Sequence, residues 1–204
     1  MTDSTRDRLL QAARDVVAKE GLEGLTLRAI ARQAGVSHGA PLRHFPSLAS
    51  LLAAVAADGF DRLVDAVDAA VAGVDDEAAA AGRTATARER LRASGRAYVE
   101  RAIAEPGVFQ VTFRPERCDI TDPEYARAGA ESFAQLQGLV EAAQAEGWHA
   151  GVEPARAAAV LWATVHGIAE LHLHGALLWP AGVGTLDDVL TALASMSDIR
   201  EGNP

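Results

Sequence analysis

Cysteine is nearly absent from this chain of 204 residues, Cys118 being the only one. A single thiol excludes an internal disulfide and a cysteine-built zinc site, and it fits a reducing compartment. Long apolar runs are missing as well: charged or glycine-interrupted positions break even the alanine-rich segments before they reach the roughly 18 residues of a membrane span. No membrane partner is expected. The opening residues, MTDSTRDRLL, are polar and lead into no apolar secretory core, so the expected compartment is the cytoplasm. The chain also lacks a glycine-rich phosphate loop, a His-Glu-x-x-His pattern and a Gly-x-Ser-x-Gly elbow, which argues against an enzyme. A nucleophile would have to be Cys118, set in RPERCDITDP among arginines able to lower its pKa, although a lone loop cysteine is more often inert. Strand alternation flanked by hairpin turns and internal repeats are likewise missing.

What is present is a core-forming composition, 49% hydrophobic, with helical spacing of the apolar residues almost everywhere. The expected fold is all-α. A formal net charge of −9 hides an asymmetry: residues 1–50 carry seven Lys/Arg against five acids, while the other 154 carry twelve against twenty-three. A mildly basic head precedes an acidic body, an excess too small to prove a nucleic-acid partner alone.

In the head, Leu9, Leu10, Ala13, Val16 and Val17 line one face of a first helix that stops at Gly21. Thr26 caps a short second helix with Leu27, Ile30 and Ala31 inward, and Gly35 ends it where a left-handed residue is usually needed. The stretch GVSHGAPLRHF follows, with Gly39 and Pro41 where a third helix should begin. With Ser37 as N-cap, Pro41 falls within the first turn, where its missing N–H and ring clash are tolerated. Gly39 lets the helix N-terminus approach a phosphate or groove floor closely. Three short helices with a tight Gly-containing turn between the last two form a helix-turn-helix. The same residues also suit a merely capped surface helix.

Residues 5 to about 60 resemble the DNA-binding head of TetR-type transcriptional regulators, through LLQAARDVVAKEG, TLRAIARQAGVS and HGAPLRHFPSLASLL. Further on, LWATVHGIAELHLHG resembles the Trp-x-x-x-His-Gly signature of one class of TetR-type ligand domains, and FQVTFRPE the segment that precedes it. The resemblance implies a helix-turn-helix domain at 1–47 and a ligand-binding and dimerisation domain at 48–204. It implies that Thr26, Arg28 and Ser37 contact phosphates, that His38, Gly39, Ala40 and Arg43 face base edges, and that His44 holds the DNA backbone. Arg43 suits a specific contact, since its planar fork can bind guanine O6 and N7 together. Phe45 is expected to seal the head's core. The family usually has a tyrosine where this chain has Leu42 and a lysine where it has Leu48.

A long amphipathic helix is expected from Ser47 toward Val74, with Leu52, Val55, Phe60, Leu63, Val67 and Val71 inward and Asp58, Asp61, Asp65 and Asp68 outward. Asp75 to Ala87 reads as a polar, small-residue linker, with a partly helical run of its alanines as the alternative. Further helices are expected at about Arg88–Ala104, Gly107–Phe113, Pro123–Glu146, Pro154–His174 and Leu186–Met196. The last two, rich in Ala and Gly, suit a four-helix interface between two subunits or a core helix pair, and the resemblance favours the homodimer. Two heads about 34 Å apart can read a palindromic operator in double-stranded DNA.

For a small-molecule site, Phe109, Phe113, Trp162 and His166 are the candidates: aromatics line an apolar pocket and an imidazole orients one hydrogen bond. Trp162 and His166, four apart, share a helix face, as pocket walls or as ordinary packing. His166, Glu170 and His174 also share a face, but three ligands over eight residues spread roughly 12 Å along a helix, too far for one ion. A metal spanning only His166 and Glu170 is the lesser alternative, and no metal or cofactor is assigned. The function expected is a dimeric repressor released from DNA by a small apolar or aromatic inducer. A helical ligand- or protein-binding adaptor is the alternative.

Overall fold

The computed structural model describes residues 4–197. Among these the elements are helices α1 (Thr5–Glu20), α2 (Leu27–Gln33), α3 (Pro41–His44), α4 (Leu48–Ala80), α5 (Ala87–Ala104), α6 (Pro106–Thr112), α7 (Pro123–Ala145), α8 (Pro154–Leu173) and α9 (Leu186–Ser197), with no strand. The chain folds all-α, as its apolar periodicity predicts.

Local chemistry sets the boundaries. Ser4 and Asp7 form a capping box at α1: the Ser4 hydroxyl accepts from the Asp7 N–H at 3.2 Å and the Asp7 carboxylate from the Ser4 N–H at 3.2 Å. Proline opens α3, α6, α7 and α8, at the position where a missing N–H leaves no bond unmade. Glu153 caps α8, its carboxylate accepting from the Ala155 and Arg156 N–H groups.

Two boundaries differ from the sequence expectation. The third helix starts at Pro41, with Ala40 and not Ser37 before it and no side-chain cap. Ser37 instead closes a turn, its carbonyl accepting from the Ala40 N–H at 2.9 Å. The long helix starts after Ser47, whose hydroxyl takes the Ser50 N–H at 3.1 Å, and continues through the expected linker to Ala80. Asp75 and the alanines after it are helical because nothing breaks the pattern before Gly82, whose φ of 71° ends the helix.

Packing divides the chain into two compact units, residues up to Arg62 with Ala104–Ser132, and Leu63–Ile103 with residues from Phe133 onward. In the first, Leu9, Val16, Ile30, Phe45, Leu51 and Val55 form a dense core joined by Val111 of α6. Each such side chain contributes about 1.5–3 kcal/mol on burial. Gly107 of α6 lies directly on α1, where a Cβ would stand 3.0 Å from Val17 Cγ1 and 3.1 Å from its carbonyl carbon. Arg14 and Arg62 both bind Asp58, at 2.6 and 2.8 Å, and Arg62 also reaches Glu105 at 3.3 Å. Arg127 binds Asp61 at 3.1 Å. Asp58 and Asp61, expected to face solvent, therefore tie α4 to its neighbours. Arg117 donates to the Leu22 carbonyl and to Glu23, both at 2.9 Å.

In the second unit Val140, Ala143 and Trp148 pack on Ala87, Ala157 and Ala158. Arg96 reaches Asp187 at 2.7 Å, fastening the start of α9 to α5.

Candidate nucleic-acid interface and ligand wall

The short second helix is set by its ends. Thr26 Oγ1 accepts the Ala29 N–H at 3.1 Å, leaving the hydroxyl proton to donate outward. Gly35, at φ 64°, turns the chain so that the Val36 N–H returns to the Ala31 carbonyl at 3.0 Å. Arg8 closes the same end from α1, donating to the Ala34 carbonyl at 3.0 Å.

After this turn, Ser37, His38 and Gly39 are exposed, Ala40 is half-buried, and Arg43 and His44 project from α3 into solvent. Thr26 and Arg28 are exposed as well. Beneath them Pro41 and Phe45 are buried, and the Arg6 guanidinium lies 5.4 Å from the centre of the Phe45 ring. Phe45 seals the core of the first unit, as its sequence context suggests. With only four residues, α3 has little dipole, so any attraction for phosphate comes from side chains and turn N–H groups. At Gly39 a Cβ would meet nothing within 4 Å, and its φ lies outside the left-handed region. Neither backbone conformation nor internal packing requires glycine there.

Leu42 is 56% exposed beside Arg43. Leu48 is half-buried against the core of the first unit, so the two leucines are not equivalent: one faces solvent, the other packs.

The second candidate cluster joins α5 to α8. The Trp162 indole N–H donates to the Tyr98 phenol at 3.3 Å, and the phenol oxygen lies 2.7 Å from His166 Nδ1. His166 Nε2 stands 4.0 Å from Glu170 Oε1, and Glu170 Oε2 stands 3.5 Å from His174 Nδ1. Trp162 is 38% exposed and has Phe133 edge-on, ring centres 6.5 Å apart. Burial raises the Tyr98 pKa above its ordinary value. Burial also lowers that of His166, against the opposing pull of Glu170. Both shifts favour the neutral ring.

Tyr98 is a residue that sequence reading missed. Its signal is weak but physical: a tyrosine on the buried face of a helix needs a partner for its hydroxyl, and Trp162 with His166 at i, i+4 offers two. Phe109 and Phe113 lie in the first unit, ring centres 5.0 Å apart, with Phe60 edge-on to Phe113 at 5.4 Å. Trp162 and His166 lie in the second. His174 ends α8, its Nδ1 2.7 Å from the Glu170 carbonyl. Among the described residues no group of three His, Cys, Asp or Glu is placed to hold a metal ion.

Cys118 shows none of the lowering that its neighbouring arginines could supply. It is buried, with Sγ 3.8 Å from the Val111 carbonyl, and burial together with Glu116 pushes its pKa up to about 11.

Comparison with known proteins adds two family matches. Residues 9–55 match bacterial regulatory proteins of the tetR family, and residues 91–195 match the tetracyclin repressor-like C-terminal domain. A protein of unknown function from Rhodococcus sp. RHA1 is 35% identical, with a TM-score of 0.79 over 96% of this chain and 94% of its own. A member of the TetR transcriptional regulator family from Streptomyces coelicolor A3 is 25% identical, with a TM-score of 0.59 over 98% and 94%. A bacterial regulatory protein in the tetR family from Rhodococcus RHA1 shares the fold at 20% identity, with a TM-score of 0.66 over 96% of each chain. No curated protein matches this chain.

Proposed function

Because this chain belongs to the TetR family of transcriptional regulators, we propose that it acts as a homodimeric repressor which leaves a palindromic operator when a small apolar or aromatic inducer binds. The observation that carries this reading is the exposed surface of the helix-turn-helix. Thr26, Arg28, Ser37, His38, Gly39, Arg43 and His44 all face solvent, with half-buried Ala40 between them, over a core sealed by Phe45. Arg28, Ser37 and the Thr26 hydroxyl supply phosphate donors, and His44 holds the backbone. His38 and Arg43 supply groups able to read base edges, and Gly39 and Ala40 leave room for them to approach. Such a protein works by binding, in the cytoplasm. No described helix is long and apolar enough to cross a membrane.

Dimerisation is supported by a face of α8 that the other described residues leave uncovered. Val160 is 65% exposed and Leu171 50% exposed, with Ala163 and Gly167 between them at helical spacing. On α9, Val189, Ala192, Leu193 and Met196 form a second stripe of period 3.6 that is exposed or half-buried. Small residues flanked by large apolar ones allow close helix packing between two copies.

For the inducer, Trp162 and His166 with Tyr98 offer an aromatic face beside a hydrogen-bonding imidazole. Phe109, buried on α6, and Phe113, half-buried at its C-terminal end, form a separate apolar pair within the first unit. The segment 104–132 belongs to the unit that contains the helix-turn-helix, with Gly107 on Val17, Arg62 on Glu105 and Arg117 on Leu22 and Glu23. An inducer that biased this segment would bias the head that it packs on, and DNA would weaken the inducer by the same factor. Selection from a pool of random duplexes tests the reading: it should enrich a two-fold symmetric site with half-sites one helical turn apart. Enrichment of no sequence would favour an adaptor that does not read DNA.

A further inference from the structure

The cations around the helix-turn-helix are not alike. Arg14 binds Asp58 at 2.6 Å and Arg32 lies 3.6 Å from Glu20, so acids within the fold already take up their charge. Arg6, exposed in the first turn of α1, has no carboxylate at ion-pair distance among the described residues. The adjacent acid, Asp7, is turned to Ser4, whose N–H and hydroxyl both donate to it. What holds Arg6 is the Phe45 ring, whose centre lies 5.4 Å from the guanidinium carbon. An aromatic ring attracts the charge without occupying the N–H groups as an oxygen would. The planar fork is thus held in place with its donors left for an anion.

Phe45 directly follows His44 at the C-terminal end of α3, so Arg6 stands beside the helix that carries Arg43. Four helical residues span about 6 Å, whereas the major groove is about 12 Å wide. A cation beside the end of so short a helix therefore stands at the phosphate wall of the groove and not over its floor. Leu42, exposed on α3, and Leu48, half-buried at the start of α4, bring no charge to that wall. We propose that Arg6, held by Phe45, binds a DNA phosphate at the edge of the groove that α3 enters, and supplies the backbone attraction that Leu42 and Leu48 lack. This rests on the DNA-binding reading above, to which it adds a contact from α1.

Anisotropy titrations of the full chain against the selected palindromic duplex and a random-sequence duplex, at several salt concentrations, test the contact. Arg6→Met keeps a long apolar stem over Phe45 and removes the charge. It should weaken both duplexes alike, by about tenfold at about 0.1 M salt, and flatten the log-affinity versus log-salt slope by up to about 1.8 in the proposed dimer. Its melting temperature should match the wild type, and Arg6→Lys should keep most of the slope. Lys19→Met removes an exposed cation from the last turn of the same helix and should change the slope far less. An unchanged slope in Arg6→Met, or an equal change in Lys19→Met, would overturn the contact, while preference for the palindrome still decides the DNA-binding reading. A wild type that binds neither duplex at low salt would overturn both.

Discussion

Gly107 at the start of α6 and Val17 near the end of α1 are in contact so close that a Cβ on the glycine would stand 3.1 Å from the valine's carbonyl carbon. The neighbour on that side is backbone, which cannot rotate away as a side chain can. Gly107→Ala should therefore separate the two helices or strain them, with a loss of about 1–3 kcal/mol. Chemical denaturation of the purified variant measures it. The same substitution at Gly39 meets nothing within 4 Å, so Gly39→Ala should leave stability within about 0.5 kcal/mol of wild type while weakening DNA binding. Equal effects of both variants on stability would contradict the packing described.

His166 gives the protein a defined response to acid. Burial lowers its folded-state pKa below the ordinary 6.5, so between these two values the unfolded chain holds more protons than the folded one. Stability must fall as pH drops through that window and is fully present above it. Urea unfolding at about pH 7.5 and about pH 5 should show this loss, and His166→Gln should show less of it. The phenol of Tyr98 adds a pH-independent share: Tyr98→Phe strips the indole N–H and Nδ1 of their shared partner and should cost about 1–3 kcal/mol at any neutral pH.

Leu171, half-exposed on α8, should be a determinant of assembly. Leu171→Glu places a charge in the proposed subunit interface, where it would be desolvated without a partner. Sedimentation at micromolar concentration should report a dimer for wild type and a monomer for the variant, with little change in helix content. A wild-type monomer that still reads a palindromic duplex would contradict the dimer.

Much of this architecture is legible in the sequence because it is local. Thr26, Gly35 and the prolines announce helix ends, and Leu9, Ala13, Val16 and Val17 announce a buried face through spacing alone. Where the reading fails, long-range or competing local chemistry decides. Ser37 has the side chain of an N-cap, but Pro41 is better placed to start the helix, and the chain makes a turn first. Asp58 and Asp61 look like solvent-facing charges on α4 until Arg14 and Arg127 arrive from other elements. No periodicity could show that residues 104–132 pack into the unit of the helix-turn-helix. At the candidate ligand wall, the i, i+4 pair Trp162 and His166 is visible in the sequence, whereas Tyr98 is 64 residues away from its indole donor and is found only in three dimensions.

The two leucines at the proposed DNA-facing end should respond differently for the same reason. Leu42→Tyr exposes a phenol where a leucine already faces solvent, so it should strengthen binding to all duplexes without changing the salt dependence. Leu48→Lys adds two cations to the proposed dimer and should steepen the log-affinity versus log-salt slope by up to about 1.8. Because Leu48 is half-buried against the core, it should also lower stability by about 1 kcal/mol. Anisotropy titrations at several salt concentrations, paired with thermal melts, separate these effects.

The claim that this protein reads DNA sequence through the short helix Pro41–His44 meets its most direct test in Arg43. Binding of wild type and Arg43→Ala is measured by fluorescence anisotropy against the selected palindromic duplex and a scrambled duplex of equal length, at one fixed salt concentration. The wild type should prefer the palindrome, and Arg43→Ala should lose about 1–3 kcal/mol of that preference for each bidentate base contact removed, with little change on the scrambled duplex. Equal affinity of the wild type for both duplexes, or an equal loss on both in the variant, would contradict it.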